Sequence, residues 1–199
     1  MPARGLPRAG MHPCAMAKTR KTNRALIIID MINALDFPEG ARLLRQAVPA
    51  AARIARLKRR LKAAGVPAIY VNDNFTHWLN DFGELVAICS QDNAPGAPLA
   101  RALPPEEDDY SILKPQHSAF YNTPLEVLLR QLDIGTVILT GIAGDSCVLA
   151  SAFDARMRGF DVVVPQDCIA SITAQRNRNA LAVMKAMEVT VTTSAKVAA

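Results

Sequence analysis

The stretch Gly141–Gly159, GIAGDSCVLASAFDARMRG, decides how this chain reads. It follows TVILT, Thr136–Thr140, a short, β-branched, apolar run of the kind that forms a buried strand. The strand should end in the glycine-rich turn, and a helix should begin near Asp145. Cys147 then falls in the first turn of that helix. Free backbone N–H groups and the positive end of the helix dipole favour a thiolate there, so the position is expected to lower the cysteine pKa and arm a nucleophile. The same N–H groups can hold the oxyanion of an acyl intermediate. Cys147 also fits a plainer role, as a small hydrophobe packed between helix and sheet, and the stretch alone does not choose between the two.

On either side of this stretch, strand and helix patterns alternate. ALIIID, Ala25–Asp30, is a continuous apolar run that suits a strand covered on both faces. Asp30 closes it, where an open α/β sheet has its ligand crevice, and is a candidate acid or base; a turn-initiating or helix-capping aspartate is the alternative. A basic segment follows in which Leu44, Val48, Ala51, Ile54, Ala55, Leu57 and Leu61 recur at helical spacing, ending at Gly65. AIYVND, Ala68–Asp73, is the next strand. Trp78–Ile88 can form a short helix, with Trp78 and Phe82 either anchoring it or lining a pocket with His77. The Pro/Gly-rich remainder is expected to be a long surface loop that ends in the acidic cluster Glu106–Asp109.

Lys114 then sits at a strand end, held extended by Pro115; it is either an ordinary surface lysine or, beside Asp30 and Cys147, a charge that favours both anions. Thr123-Pro124-Leu125-Glu126 reads as a capping box with proline at the first helical position. DVVVPQD, a helix capped by Thr173, and VTVTT complete the chain. Such alternation is the signature of a parallel sheet with helices on both faces and right-handed crossovers.

Composition narrows the setting. The chain has 199 residues, half of them hydrophobic, enough for one domain with a real core. Residues 1–22 are rich in Pro, Gly, Arg and Lys and are expected to be a disordered tail, leaving 23–199 as the domain. No run is long and apolar enough to span a bilayer. The formal net charge is +5, but much of it lies in the tail and in the segment from Arg42 to Lys62, whose basic residues read as the solvent face of an amphipathic helix. No aromatic residues interleave with them, so no nucleic-acid partner is expected. The four cysteines, Cys14, Cys89, Cys147 and Cys168, match neither a disulfide framework nor a paired zinc spacing, which fits the cytoplasm.

The pieces IIIDMIN, LKPQHSAF and GIAGDSCVLASAFDARMRGFDVVVPQD, in this order, resemble the isochorismatase-like cysteine hydrolases, from about Ala25 to the end. The resemblance implies a single-domain, Rossmann-like three-layer α/β/α fold with a six-stranded parallel sheet in the order 3-2-1-4-5-6. It implies a catalytic triad of Asp30, Lys114 and Cys147, with a cis peptide between Ile142 and Ala143 that aims the Ala143 N–H at an oxyanion. With strands about 4.8 Å apart, Lys114 lies two strands from Asp30, so its loop is expected to bring it inward. Phe37, Asn74, Trp78 and Phe120 are expected around the substrate. Nicotinamidases of this family carry a metal-binding Asp-x-His after the second strand; here the stretch reads Asp73-Asn74-Phe75, so neither a metal nor another cofactor is expected. Isochorismatases proper, which cleave a vinyl ether, lack the nucleophilic cysteine. Cys147 therefore favours hydrolysis of a C–N bond in a small amide, carbamoyl or ureido compound, by a homo-oligomer. A vinyl-ether hydrolase and a catalytically silent binding protein of the same fold are the alternatives.

Overall fold

Ala25 to Ile29 are wholly buried, and a run of that kind must be covered on both faces. In the computed structural model, which describes residues 22–76 and 78–198, it is the centre of β1 (Arg24–Ile29). The other strands are β2 (Ala68–Asp73), β3 (Tyr110–Lys114), β4 (Thr136–Ile142), β5 (Asp161–Pro165), β6 (Ile169–Ala170) and β7 (Thr190–Thr192). Every pairing is parallel. The order is β3-β2-β1-β4-β5-β7, the topology expected, with the two-residue β6 as an addition beside the end of β4. β4 thus pairs with β5 through Thr136–Ile138 and with β6 through Gly141–Ile142.

Alternate residues of each strand feed two cores. Leu26, Ile28 and Tyr70 pack on α1 (Gly40–Ala63), α2 (Phe82–Cys89) and α3 (Ala97–Ala102), while Ile27, Ile29 and Val71 pack on α4 (Leu125–Gln131), α5 (Leu149–Met157) and α6 (Ala174–Ala186). The helix α3 replaces part of the long loop expected there, because Leu99 and Ala100 bury against α1. On α1 the buried stripe runs through Leu43, Ala47, Ala50, Ile54, Leu57 and Leu61, and Val48 is exposed.

The basic face of α1 is not all solvent. Lys58 is 3% exposed and pairs with Asp109 and with Glu106, the latter at 3.1 Å, while Lys62 pairs with Glu106 and Asp109 at 2.9 and 2.8 Å. The acidic cluster before β3 is therefore an internal partner of α1, and two of the basic residues expected on its solvent face are paired within the fold. The capping box expected at Thr123 does not form. Its hydroxyl donates to Ala119 O at 2.6 Å and accepts from Leu125 N, Pro124 occupies the cap position, and Glu126 turns to Arg158 at 3.1 Å. Residues 1–21, on which the expected tail rests, and His77 lie outside the described residues.

Sequence order reverses direction between β1 and β4, and their ends meet closely. Ile29 is the register partner of Gly141, whose φ is +112°. A Cβ on Gly141 would stand 2.0 Å from Ile29 O. Gly141→Ala is expected to cost at least about 3 kcal/mol, combining backbone strain with a clash that β1 cannot relieve. Urea denaturation measures it, and a variant as stable as the parent would show that the two strands do not need this approach.

Candidate active site

The crevice at the reversal collects three functional groups. Asp30 follows β1 with φ 53°, a left-handed conformation that aspartate tolerates better than most residues. Its Oδ1 accepts the Asp73 N–H at 2.6 Å, and its Oδ2 lies 2.9 Å from Lys114 Nζ. Lys114 remains the last residue of β3, in register with Asp73. The long side chain, not a displaced loop, carries the ammonium past β2 to Asp30. That ammonium also donates to Gln116 O at 3.1 Å and stands 3.7 Å from Cys147 Sγ. Asp30 is 4% and Lys114 1% exposed.

Cys147 does not sit in an ordinary first helical turn. Gly144–Val148 form a wide π-type turn that leads into α5, a feature common at functional sites. The N–H groups of Ser146 and Val148 both donate to Ala143 O at 3.1 Å, and the Ile142–Ala143 peptide is cis. Other contacts pin the turn from outside. Asp145 N donates to Ser171 Oγ at 3.1 Å, the Asp145 carboxylate pairs with Arg176, and Ser151 Oγ donates to Cys147 O at 2.7 Å. Gly144 leaves no room for a side chain, since a Cβ would lie 2.4 Å from Asn177 Oδ1. Ser171, Arg176 and Asn177 carry no motif in the sequence; only the pairing of β6 with β4 brings them here.

Burial governs the charges. Desolvation raises the pKa of Asp30 above its ordinary 3.8, against the pull of the Lys114 charge and of the hydrogen bond from Cys147. For Lys114, burial works downward, but the charges of Asp30 and Cys147 outweigh it and raise the pKa above 10.5. The Cys147 thiol is pushed up to about 12, first by burial and then by the Asp30 carboxylate, with Lys114 opposing. The thiol therefore departs from the lowered pKa expected at a helix start, because burial and the neighbouring Asp30 anion raise it. These shifts favour a neutral thiol beside the Asp30–Lys114 ion pair.

His117, which sequence reasoning passed over, lies with Nδ1 3.7 Å from Cys147 Sγ and 3.3 Å from Ser146 Oγ. It lines a cleft of about 380 Å³ with Gln116, Ser118, Tyr121 and Asp154. Its place three residues after Lys114 was the available signal. The expected pocket residues separate. Phe120 is core, its ring 5.9 Å from that of Phe160 and beneath the Arg158 guanidinium. Phe37 and Trp78 are exposed, Trp78 by 61%. Trp78 precedes α2 instead of anchoring it; the helix starts at the Asp81–Glu84 capping box, and Phe82 packs on Tyr70. Asn74 is buried beside the site. Its N–H donates to Lys114 O, its Oδ1 accepts from Trp78 N, and its Nδ2 has no partner among the described residues. Among the described residues, no three His, Cys, Asp or Glu side chains are grouped to hold a metal ion.

This arrangement coincides with a match of residues 24–196 to the isochorismatase domain. The chain belongs to the isochorismatase family. It is 37% identical over 165 residues to an uncharacterized isochorismatase family protein, YaaI, of Bacillus subtilis (strain 168), covering 83% of this chain and 90% of that protein. It is 32% identical over 153 residues to maleamate amidohydrolase of Pseudomonas putida, covering 73% and 71%. The structure of a cysteine hydrolase from Pseudomonas syringae pv. phaseolicola superimposes with a TM-score of 0.72 at 25% identity, over 87% of this chain and 90% of that one. Family members of this kind are hydrolases.

Thiol alkylation reads the electrostatics directly. In the native protein iodoacetamide should label Cys147 before Cys89 and Cys168, which are fully buried. Asp30→Asn removes the anion that raises the Cys147 pKa while Lys114 stays, so labelling at neutral pH should become faster; Lys114→Met should make it slower. Peptide mapping after limiting reagent checks both, and opposite or absent changes would refute the charge arrangement.

Proposed function

We propose that the protein hydrolyses a C–N bond in a small amide, carbamoyl or ureido compound through a thioester on Cys147. The observation that carries this reading is an ammonium in contact with both the carboxylate and the thiol in the crevice between β1 and β4. Because the thiol is neutral at rest, Asp30 must take its proton as Sγ attacks the carbonyl carbon. Lys114 keeps Asp30 ionised until then and balances the charge as it moves. The oxyanion rests on the backbone N–H groups of Cys147 and Ala143. Asp30 then returns the proton to the departing nitrogen, ammonia or an amine leaves, and water hydrolyses the thioester. A relative named for an amide substrate and a structural neighbour named as a cysteine hydrolase support the bond type and the nucleophile. The thiol supplies the nucleophile, so the chemistry calls for no metal or other cofactor, and Phe75 stands where the metal-binding members have a histidine.

The test is ammonia release from a panel of small amides, carbamoyl and ureido compounds, with Cys147→Ala as control. Turnover of none of them, or turnover kept by Cys147→Ala, would overturn the proposal. With a substrate in hand, Asp30→Asn and Lys114→Met should each depress kcat strongly, and the double variant should be little worse than the worse single, as for residues of one catalytic unit. Stability should follow a parallel pattern. Each single variant leaves one buried charge unpaired and should lose about 3 kcal/mol, whereas the double variant leaves neither and should recover part of it. Fully additive losses of activity, or a Lys114→Met enzyme with near-normal turnover, would remove Lys114 from the catalytic unit.

A further inference from the structure

We propose that His117 is a catalytic residue of the second half-reaction, the base that takes a proton from the water that hydrolyses the Cys147 thioester. This rests on the cysteine-hydrolase reading above and assigns a step within it. The geometry gives the Cys147 sulfur two unlike sides. On the inner side Asp30 and Lys114 are buried, and the Asp30 carboxylate is engaged by the Asp73 N–H and by Lys114. On the outer side the His117 imidazole is exposed, with Nδ1 3.7 Å from Sγ, and it borders the cleft that Gln116, Ser118, Tyr121 and Asp154 complete. An acyl group on Sγ occupies the place from which the thiol proton left. Water on the exposed, His117 side of the sulfur then reaches the acyl carbon without displacing the buried ion pair.

Ser146 supports the role. Its Oγ lies 3.3 Å from Nδ1 and helps hold the ring beside the sulfur; in the tautomer protonated at Nε2, Nδ1 carries the lone pair that takes the water proton. The step balances. Water oxygen bonds to the acyl carbon and its proton passes to Nδ1. The C–S bond breaks as the carbonyl re-forms, and the imidazolium returns the proton to the departing sulfur, leaving a carboxylic acid and the resting thiol.

The probe is p-nitrophenyl acetate, whose acyl transfer to the enzyme releases nitrophenolate whatever the natural substrate is. In His117→Gln, first-turnover release should keep the parent rate. The steady phase should slow about a hundredfold, the scale of a lost general base. Acetyl-Cys147 should accumulate in the intact mass of quenched samples, and hydroxylamine, a nucleophile that needs no base, should restore the steady rate. With an unchanged melting temperature, two phases slowed together or neither slowed would overturn the assignment and leave Asp30 as base of both half-reactions. First-turnover release that persists in Cys147→Ala would instead overturn the cysteine-hydrolase reading, and this step with it.

Discussion

A carboxylate and an ammonium 2.9 Å apart, both almost wholly shielded from water, set the terms for everything around them. Isolated charges are not tolerated at such depth, so each of these residues requires the other, and the backbone is arranged to bring them together. β1 ends in a left-handed Asp30, β2 offers the Asp73 N–H, and β3 delivers Lys114 with its stem buried. Breaking such a pair is costly even where forming it contributes little to stability.

The thiol takes its character from this pair. A cysteine near a helix start invites the inference of a depressed pKa, yet here burial and the Asp30 anion dominate and the proton stays on sulfur. In the proposed reaction one transfer would generate both the thiolate nucleophile and the Asp30 acid that protonates the departing nitrogen. A thiol that rests neutral is also less open to side reactions at a partly exposed sulfur.

Much of this was legible in the sequence, for physical reasons. Runs such as Ala25–Ile29 and Thr136–Thr140 are too apolar and too short for anything but buried parallel strands, and Gly141 and Gly65 mark the turns they need. The Asp, Lys and Cys each end a strand or begin a turn, and the strand order that the family resemblance implied brought Asp30 and Cys147 to one edge of the sheet. What was hidden depends on contacts remote in sequence. The reach of Lys114 past β2, the pinning of the 144–148 turn by Ser171, Arg176 and Asn177, and the pairing of Lys58 with Asp109 leave no periodic or motif signal. Phe120 and Trp78 were read by residue type, but which aromatic is core and which is exposed depends on tertiary packing, as in the contact of Phe120 with Phe160.

The pH dependence of kcat/KM, measured on a substrate from the amide and ureido panel, tests the central claim most directly. Asp30 must be ionised in the free enzyme to accept the thiol proton, and burial raises its pKa, so activity should fall as pH drops through an acid limb lying above 3.8. Removing the Lys114 charge, which holds that pKa down, should move the limb further up in the residual activity of Lys114→Met. An acid limb at or below 3.8, or one that ignores Lys114, would contradict the account.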